Sequence, residues 1–298
     1  MRTGMDFPAY LGVALAAVCW GSVGVLVRWS GMAGHEPQLV LLRSALAAVF
    51  FCGTALLSGR GHQLRMGRKP ALLLASGLLL TFHWVVFFKA INSLALGQAV
   101  FITYLAPVLV AALAPLLLRE RLEGITVVAL LLALAGLFLF TLTASGEGRL
   151  RPEGLAFALL AALSYALLLI ILKRLREEVH ALTVAFYQSL VNVVVLLPFV
   201  AFRPFPAAGV NWPSVLVLGL FHSGLVGLLY INAVKGVKAQ HVGVISYLEP
   251  LSAYVFGWLA LGEGLGWSDL LGGMLILAGG LLVVLYRPPA AVGPPPKA

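Results

Sequence analysis

Long apolar stretches separated by short polar clusters run along this chain. A helix needs about 20 apolar residues to cross a hydrocarbon core of roughly 30 Å. The pattern predicts ten such helices, at 8–29, 37–58, 71–91, 95–118, 124–143, 153–174, 181–202, 214–235, 240–261 and 268–286. The longest connections, Gly59–Pro70 and Arg203–Pro213, are about a dozen residues and leave no room for a soluble domain. From Pro288 to Ala298 the chain is rich in Pro and Ala and is expected to be disordered. The expected fold class is therefore an all-α integral membrane protein with ten transmembrane helices.

Composition agrees with the pattern. Of 298 residues, 61% are hydrophobic and 10% charged, where a soluble domain carries about 25% charged residues. The mean hydropathy is +1.02, so the bilayer is the solvent this chain is built for. The net charge of +9 would suggest nucleic acid in a soluble chain. Here the basic residues lie mostly between the apolar runs and act as orientation signals, so no nucleic-acid partner is expected. With the N-terminus inside, the cytoplasmic set is Arg2, Arg60, Arg65, Arg68, Lys69, Arg119, Arg121, Lys173, Arg174, Arg176, Lys235, Lys238, Arg287 and Lys297. The outside set is Arg28, Lys89, Arg149, Arg151 and Arg203. That asymmetry predicts both termini in the cytoplasm and an even number of spans. Cys19 and Cys52 both lie inside apolar runs, without disulfide or metal-ligand spacing. The first apolar run follows Arg2 but lacks a convincing cleavage site, and is taken as a retained span rather than a signal peptide.

The chain resembles itself. A shift of 143 residues carries Ile102-Thr103-Tyr104-Leu105-Ala106-Pro107 onto Ile245-Ser246-Tyr247-Leu248-Glu249-Pro250. The same shift carries Phe87 onto Tyr230 and Ala135-Gly136 onto Ala278-Gly279. A shift of 145 carries Trp20 onto Tyr165, Arg28 onto Lys173 and Arg43-Ser44 onto Gln188-Ser189. Two halves are expected, residues 1–145 and 146–287, followed by a tail at 288–298. Five spans is an odd number, so the second half enters the membrane from the opposite side. Inverted repeats of this kind suit a carrier that rocks one half against the other; a duplicated bundle without a transport role is the plain alternative.

Polar residues inside the apolar runs are the candidates for chemistry. Pro107 and Pro250 occupy equivalent places near mid-span. Each lacks the N–H that would bond the carbonyl four residues back, at Thr103 and Ser246. Paired interruptions point to a binding site at the middle of the bilayer, although a proline also makes a simple kink. Glu249 is the acidic residue near the middle of a span, and it must face protein or water. It could exchange a coupling proton, recognise a cationic group, or pair with Arg43, Lys89 or a histidine. Arg43 lies inside the second span, where it could meet a substrate carboxylate, pair with Glu249 or snorkel outward. His83 and His222 could relay protons or be hydrogen-bonded core. Trp20, Trp84, Tyr104, Tyr165, Tyr187, Tyr230 and Tyr247 could box a flat or cationic solute or pack the bundle. With Gln188, these give a candidate substrate site of Trp20, Arg43, His83, Trp84, Tyr104, Pro107, Tyr165, Gln188, Tyr230, Tyr247 and Pro250, with Glu249 and His83 as coupling residues. Tyr247 and Glu249 are about 200° apart on a helix and share a cavity only if the helix breaks. Gly219, Ser223 and Gly227, and Gly272 with Gly279, read as stripes for close helix packing.

There is no phosphate-binding Gly-rich loop ending in Lys-Ser/Thr, no H-E-x-x-H and no G-x-S-x-G. No enzyme activity, metal or cofactor is expected.

Along the chain stand Cys19-Trp20-Gly21-Ser22, Arg43, Leu105-Ala106-Pro107 with Glu120-Arg121-Leu122, Leu248-Glu249-Pro250 with Gly262-Glu263, and Gly272 with Ala278-Gly279-Gly280. Together these features resemble the EamA-type transporters of the drug/metabolite transporter superfamily. The match runs from about residue 8 to 287. It implies ten helices as two inverted five-helix repeats around a central cavity, and export, or less often uptake, of small metabolites such as amino acids or of toxic compounds. Ala106 opposite Glu249 and Gln188 opposite Arg43 break the symmetry. The expectation is a secondary transporter in a bacterial-type inner membrane. Its partners would be a small-molecule substrate and membrane lipids, with proton coupling and a homodimer both compatible. A passive facilitator or importer, and a lipid-active membrane enzyme, are the competing readings.

Overall fold

The computed structural model describes residues 6–286 except 33, 68, 95, 145–150, 206–208 and 263–265. The tail expected to be disordered, and orientation signals such as Arg2 and Arg149, lie outside the described residues. Among those described, the chain is helical, without a strand. The helices are α1 (Phe7–Trp29), α2 (Glu36–Leu57), α3 (Pro70–Ser93), α4 (Leu96–Thr103 continuing as Ala106–Leu118) and α5 (Gly124–Ala144). They continue with α6 (Pro152–Glu178), α7 (Ala181–Val200), α8 (Trp212–Gly236), α9 (Ala239–Leu261) and α10 (Trp267–Leu285). Eight are long and apolar enough to cross a membrane, while α5 and α10 carry shorter apolar stretches, Gly124–Leu139 and Leu270–Leu285.

Local chemistry explains several ends. Prolines 70 and 152 open α3 and α6, where a missing N–H costs nothing. The Asp6 and Asn211 side chains accept the Ala9 and Ser214 amides and cap α1 and α8. Helix α6 runs to Glu178, past the boundary expected at 174, and its added turn carries charges with partners at that end of the bundle: Glu178 pairs with Lys69, and Arg176 donates to the Ile231 carbonyl at 3.0 Å.

Large apolar side chains stand exposed on the helices as well as buried between them: Val49 is 68% and Leu131 63% exposed, as suits a surface in lipid, and small residues fill much of the interior. A Cβ on Gly272 would fall 2.6 Å from the Gly136 carbonyl oxygen, and one on Gly279 would fall 2.7 Å from that of Ala129. These glycines let α10 lie directly on α5. Helix α3 packs along α6, α2 along α7, and α1 and α4 against α9, so much of the contact joins residues before 145 to residues after it.

The connections gather at two ends. At one, the Thr183 and Tyr187 hydroxyls donate to the Gln63 and Leu64 carbonyls at 2.6 and 2.9 Å, and Lys69 pairs with Glu178 at 2.6 Å. At the other, the Asn211 amide donates to Ser30 at 2.9 Å and the Gln38 amide to Pro204 at 3.4 Å. Helix α7 separates the two sets by roughly 30 Å. The connections Gly59–Pro70 and Arg203–Pro213 thus occupy opposite ends.

Candidate functional site

Three helices are interrupted where the cavity lies. In α4 the Val108 and Leu109 amides both bond the Leu105 carbonyl, at 3.0 and 3.1 Å. The Tyr104 carbonyl is left without its usual helical donor, and the Tyr247 hydroxyl supplies one at 2.8 Å. Helix α9 is interrupted at Tyr247, where the amide reaches back only three residues, to Val244. Helix α1 is interrupted at Ser22, whose hydroxyl donates to the Cys19 carbonyl at 2.8 Å. A side chain at Gly21 could not be accommodated, since its Cβ would lie 2.6 Å from the Ala253 amide nitrogen.

These interruptions surround an internal cavity of about 270 Å³. Of the residues singled out from sequence, Trp20, Arg43, His83, Trp84, Tyr104, Pro107, Tyr165, Gln188, Tyr230 and Glu249 line it. Tyr247 and Pro250 stand behind the wall: both are buried, and Tyr247 acts through its bond to Tyr104. Tyr187 is turned to the end of the bundle, on Leu64. Lys89 lies over the Phe157 ring at 5.1 Å and does not line the cavity.

Arg43 does not snorkel. Its guanidinium lies 5.1 Å from the centre of the Trp84 ring, and its Nε donates to Ser223 Oγ at 2.9 Å. Glu249 lies in the first turn after the α9 break, near the Tyr104 hydroxyl. Arg43 is the opposite charge Glu249 senses. Yet among the described residues no ion pair within 4.0 Å joins the two. The cavity therefore holds a guanidinium and a carboxyl group that are not in contact with each other.

His83 Nδ1 donates to the Ala161 carbonyl at 3.0 Å, which leaves Nε2 as the lone-pair nitrogen of the neutral ring. The ring stacks on Phe87, centroids 6.0 Å apart and planes at 11°. His222 is held by Ser22 at 2.8 Å, and Trp20 packs against Tyr230 at 4.8 Å between centroids. Thr103 Oγ1 is buried without a hydrogen-bond partner among the described residues.

Sequence reasoning missed three contributors. Ser223, assigned to a packing stripe, lines the cavity and holds Arg43. It does so because Val217–Val226 of α8 is a π-helix, a form frequent at functional sites. A run with Gly219, Gly224 and Gly227 around His222-Ser223 was the signal available. Asn192, an amide within an apolar run, also lines the cavity and reaches Ser44 at 3.4 Å. Thr103 was noticed only for its carbonyl. Among the described residues no group of three or more metal-ligating side chains is gathered.

The model of the EamA-like transporter family matches residues 7–142 and again 152–285. An uncharacterized transporter of Archaeoglobus fulgidus is 32% identical over 274 residues, 91% of this chain and 94% of that protein. The uncharacterized transporter YxxF of Bacillus subtilis is 28% identical over 94% of this chain and 90% of its own length. A solved crystal structure superposes with a TM-score of 0.81 over 93% of this chain and 98% of that one, at 22% identity, a likeness of fold. With apolar helices, interrupted spans and a double match along its length, the chain is a multi-pass membrane protein that belongs to the EamA-like transporter family of the drug/metabolite transporter superfamily.

Proposed function

We propose that this protein, a transporter of small solutes by family, is a secondary transporter that exports amino acids or related metabolites by alternating access. The reading has ten spans as two inverted five-helix repeats, in a bacterial-type inner membrane with both termini cytoplasmic. The observation that carries it is the guanidinium of Arg43 and the carboxyl of Glu249, not in contact with each other, in one aromatic cavity. A desolvated charge is costly unless something pairs with it. A solute carrying a carboxylate and an ammonium supplies both partners at once, with its carboxylate on Arg43 and its body among Trp20, Trp84, Tyr165 and Tyr230. Glu249 would meet the ammonium or exchange a coupling proton, and His83 would be a second proton carrier.

Protein reconstituted in liposomes tests this. Labelled solute chosen from a thermal-shift panel of amino acids and drugs should move without ATP, and unlabelled solute on the far side should accelerate it. Counter-flow of that kind separates a carrier from a passive facilitator. Glu249→Gln should flatten the pH dependence of transport if it handles the proton. No uptake across the panel would count against the reading, and an unchanged pH profile against the coupling role of Glu249.

A further inference from the structure

A second polar cluster lies outside the cavity, at the end that holds Asp6 and the Gln63–Thr183 contact. Its acidic members, Glu120 and Glu123, sit in the connection between α4 and α5. The Glu120 carboxylate accepts Lys173 of α6 at 2.8 Å and the backbone amide of Ala239, the first residue of α9, at 2.9 Å. The Glu123 carboxylate accepts Lys238 and, at 2.8 Å, His241 Nε2. With Nε2–H directed at a carboxylate, the neutral ring presents Nδ1 as a lone pair, and the Tyr10 hydroxyl of α1 donates to it at 2.5 Å. The Gln240 side chain completes the seam, accepting the Glu123 amide at 3.2 Å and donating to the Arg121 carbonyl at 2.8 Å.

Most of these bonds have one partner in residues 118–124 and the other in residues 173–241. None of these groups lines the cavity. Ser246, which does, is seven residues beyond Ala239, or roughly 10 Å along α9. Between the two levels α4 and α9 touch: a Cβ on Gly243 would lie 3.1 Å from Pro107. Solute cannot pass that contact unless α4 and α9 separate, and the bonds at Glu120 and Glu123 hold them together just outside it.

We propose that the Glu120/Glu123 cluster is a lock between the two halves that keeps the cavity shut at this end and must break for solute to pass there. The proposal rests on the alternating-access reading above. Charge favours the lock: the groups facing the two carboxylates are Lys173, Lys238, His241 and the Tyr10 hydroxyl, from α6, the α8–α9 connection, α9 and α1. Burial pushes the Glu123 carboxyl up, but the hydrogen bonds from Lys238 and His241 and the charge of Lys238 outweigh it and hold Glu123 below the usual carboxylate range. The carboxylate is therefore ionised, and the lock closed, at neutral pH.

The test reads access rather than transport. In full-length protein with Cys19 and Cys52 replaced by alanine, Ser189→Cys puts one thiol on the cavity wall. A membrane-impermeant sulfonated maleimide is applied to membrane vesicles of each orientation. Glu120→Gln with Glu123→Gln should raise the labelling rate from the face bearing the N-terminus by about tenfold or more, since charged hydrogen bonds are lost. The rate from the other face should stay the same or fall. Lys238→Gln, on a lysine exposed at the rim, should give a smaller rise of the same sign and covers the case in which the double variant does not fold. Unchanged labelling from both faces in folded protein overturns the lock. Because no solute is involved, that result leaves the transport reading standing, and failed transport leaves the lock standing.

Discussion

Ser223 has one proton to give. It goes to the Leu218 carbonyl, five residues back in the π-helix, at 3.0 Å. The Nε–H of Arg43, at 2.9 Å, therefore meets a lone pair, and one hydroxyl joins α8 to the cavity's cation. Ser223→Ala removes both bonds. A hydrogen bond to a charged group contributes about 1.5–3 kcal/mol and a neutral one about 1 kcal/mol. Cavity water can replace part of the loss at Arg43, and the Trp84 contact survives. The expected destabilisation is about 1–3 kcal/mol. Ser223→Thr keeps the hydroxyl and should recover most of it. The assay is thermal or denaturant unfolding of the purified protein, with affinity for any solute that stabilises it as a second readout. If Ser223→Ala unfolds like wild type, or if Ser223→Thr fares as badly, the hydroxyl does not hold Arg43 as described.

Thr103→Val removes a buried hydroxyl that has no partner among the described residues, a group that costs about 1–3 kcal/mol when left unsatisfied. Unfolding stability should hold or rise while affinity for the solute falls, and an undiminished affinity would show that solute does not use this hydroxyl. Gly272→Leu forces a side chain into the Gly136 carbonyl and should destabilise by about 3 kcal/mol or more, seen as loss of monodisperse protein. Glu123 is held below its usual range by Lys238 and His241. Its contribution to stability is full above the unfolded carboxyl value near 4.5 and is lost as pH falls through the lower folded value. Wild type should therefore lose thermal stability on acidification more steeply than Glu123→Gln, and parallel pH curves would sink the assignment.

What could be read from sequence was chemistry out of place. Arg43, Glu249, His83 and Gln188 stand out because an apolar run gives them no reason to be there, and the cavity wall collects all four. The tyrosines were read as a class, and at the breaks in α4 and α9 they part: Tyr104 lines the cavity and Tyr247 stands behind it. The π-helix was invisible because a spacing of four residues was taken as a face of an α-helix, whereas a π-turn moves Ser223 to another side. The end cluster was hidden for a different reason. Lys173 and Lys238 were counted as orientation signals, which a basic residue beside a span usually is. Their partners lie 53 and 115 residues away in the chain, and no local pattern reports a bond across that separation.

Tyr104 and Tyr247 hold matching places in the two halves, yet they have divided their labour. Tyr247 spends its hydroxyl on the backbone of the other break and is wholly enclosed, while Tyr104 turns its own hydroxyl toward Glu249. One is a strut and the other a reader of charge. The difference has a counterpart in the neighbouring residue, since Ala106 stands in the first half where the second has Glu249. The two matched segments are thus not interchangeable: two copies of residues 7–142 would carry no carboxyl at that place, and two copies of residues 152–285 would carry two and lack Arg43.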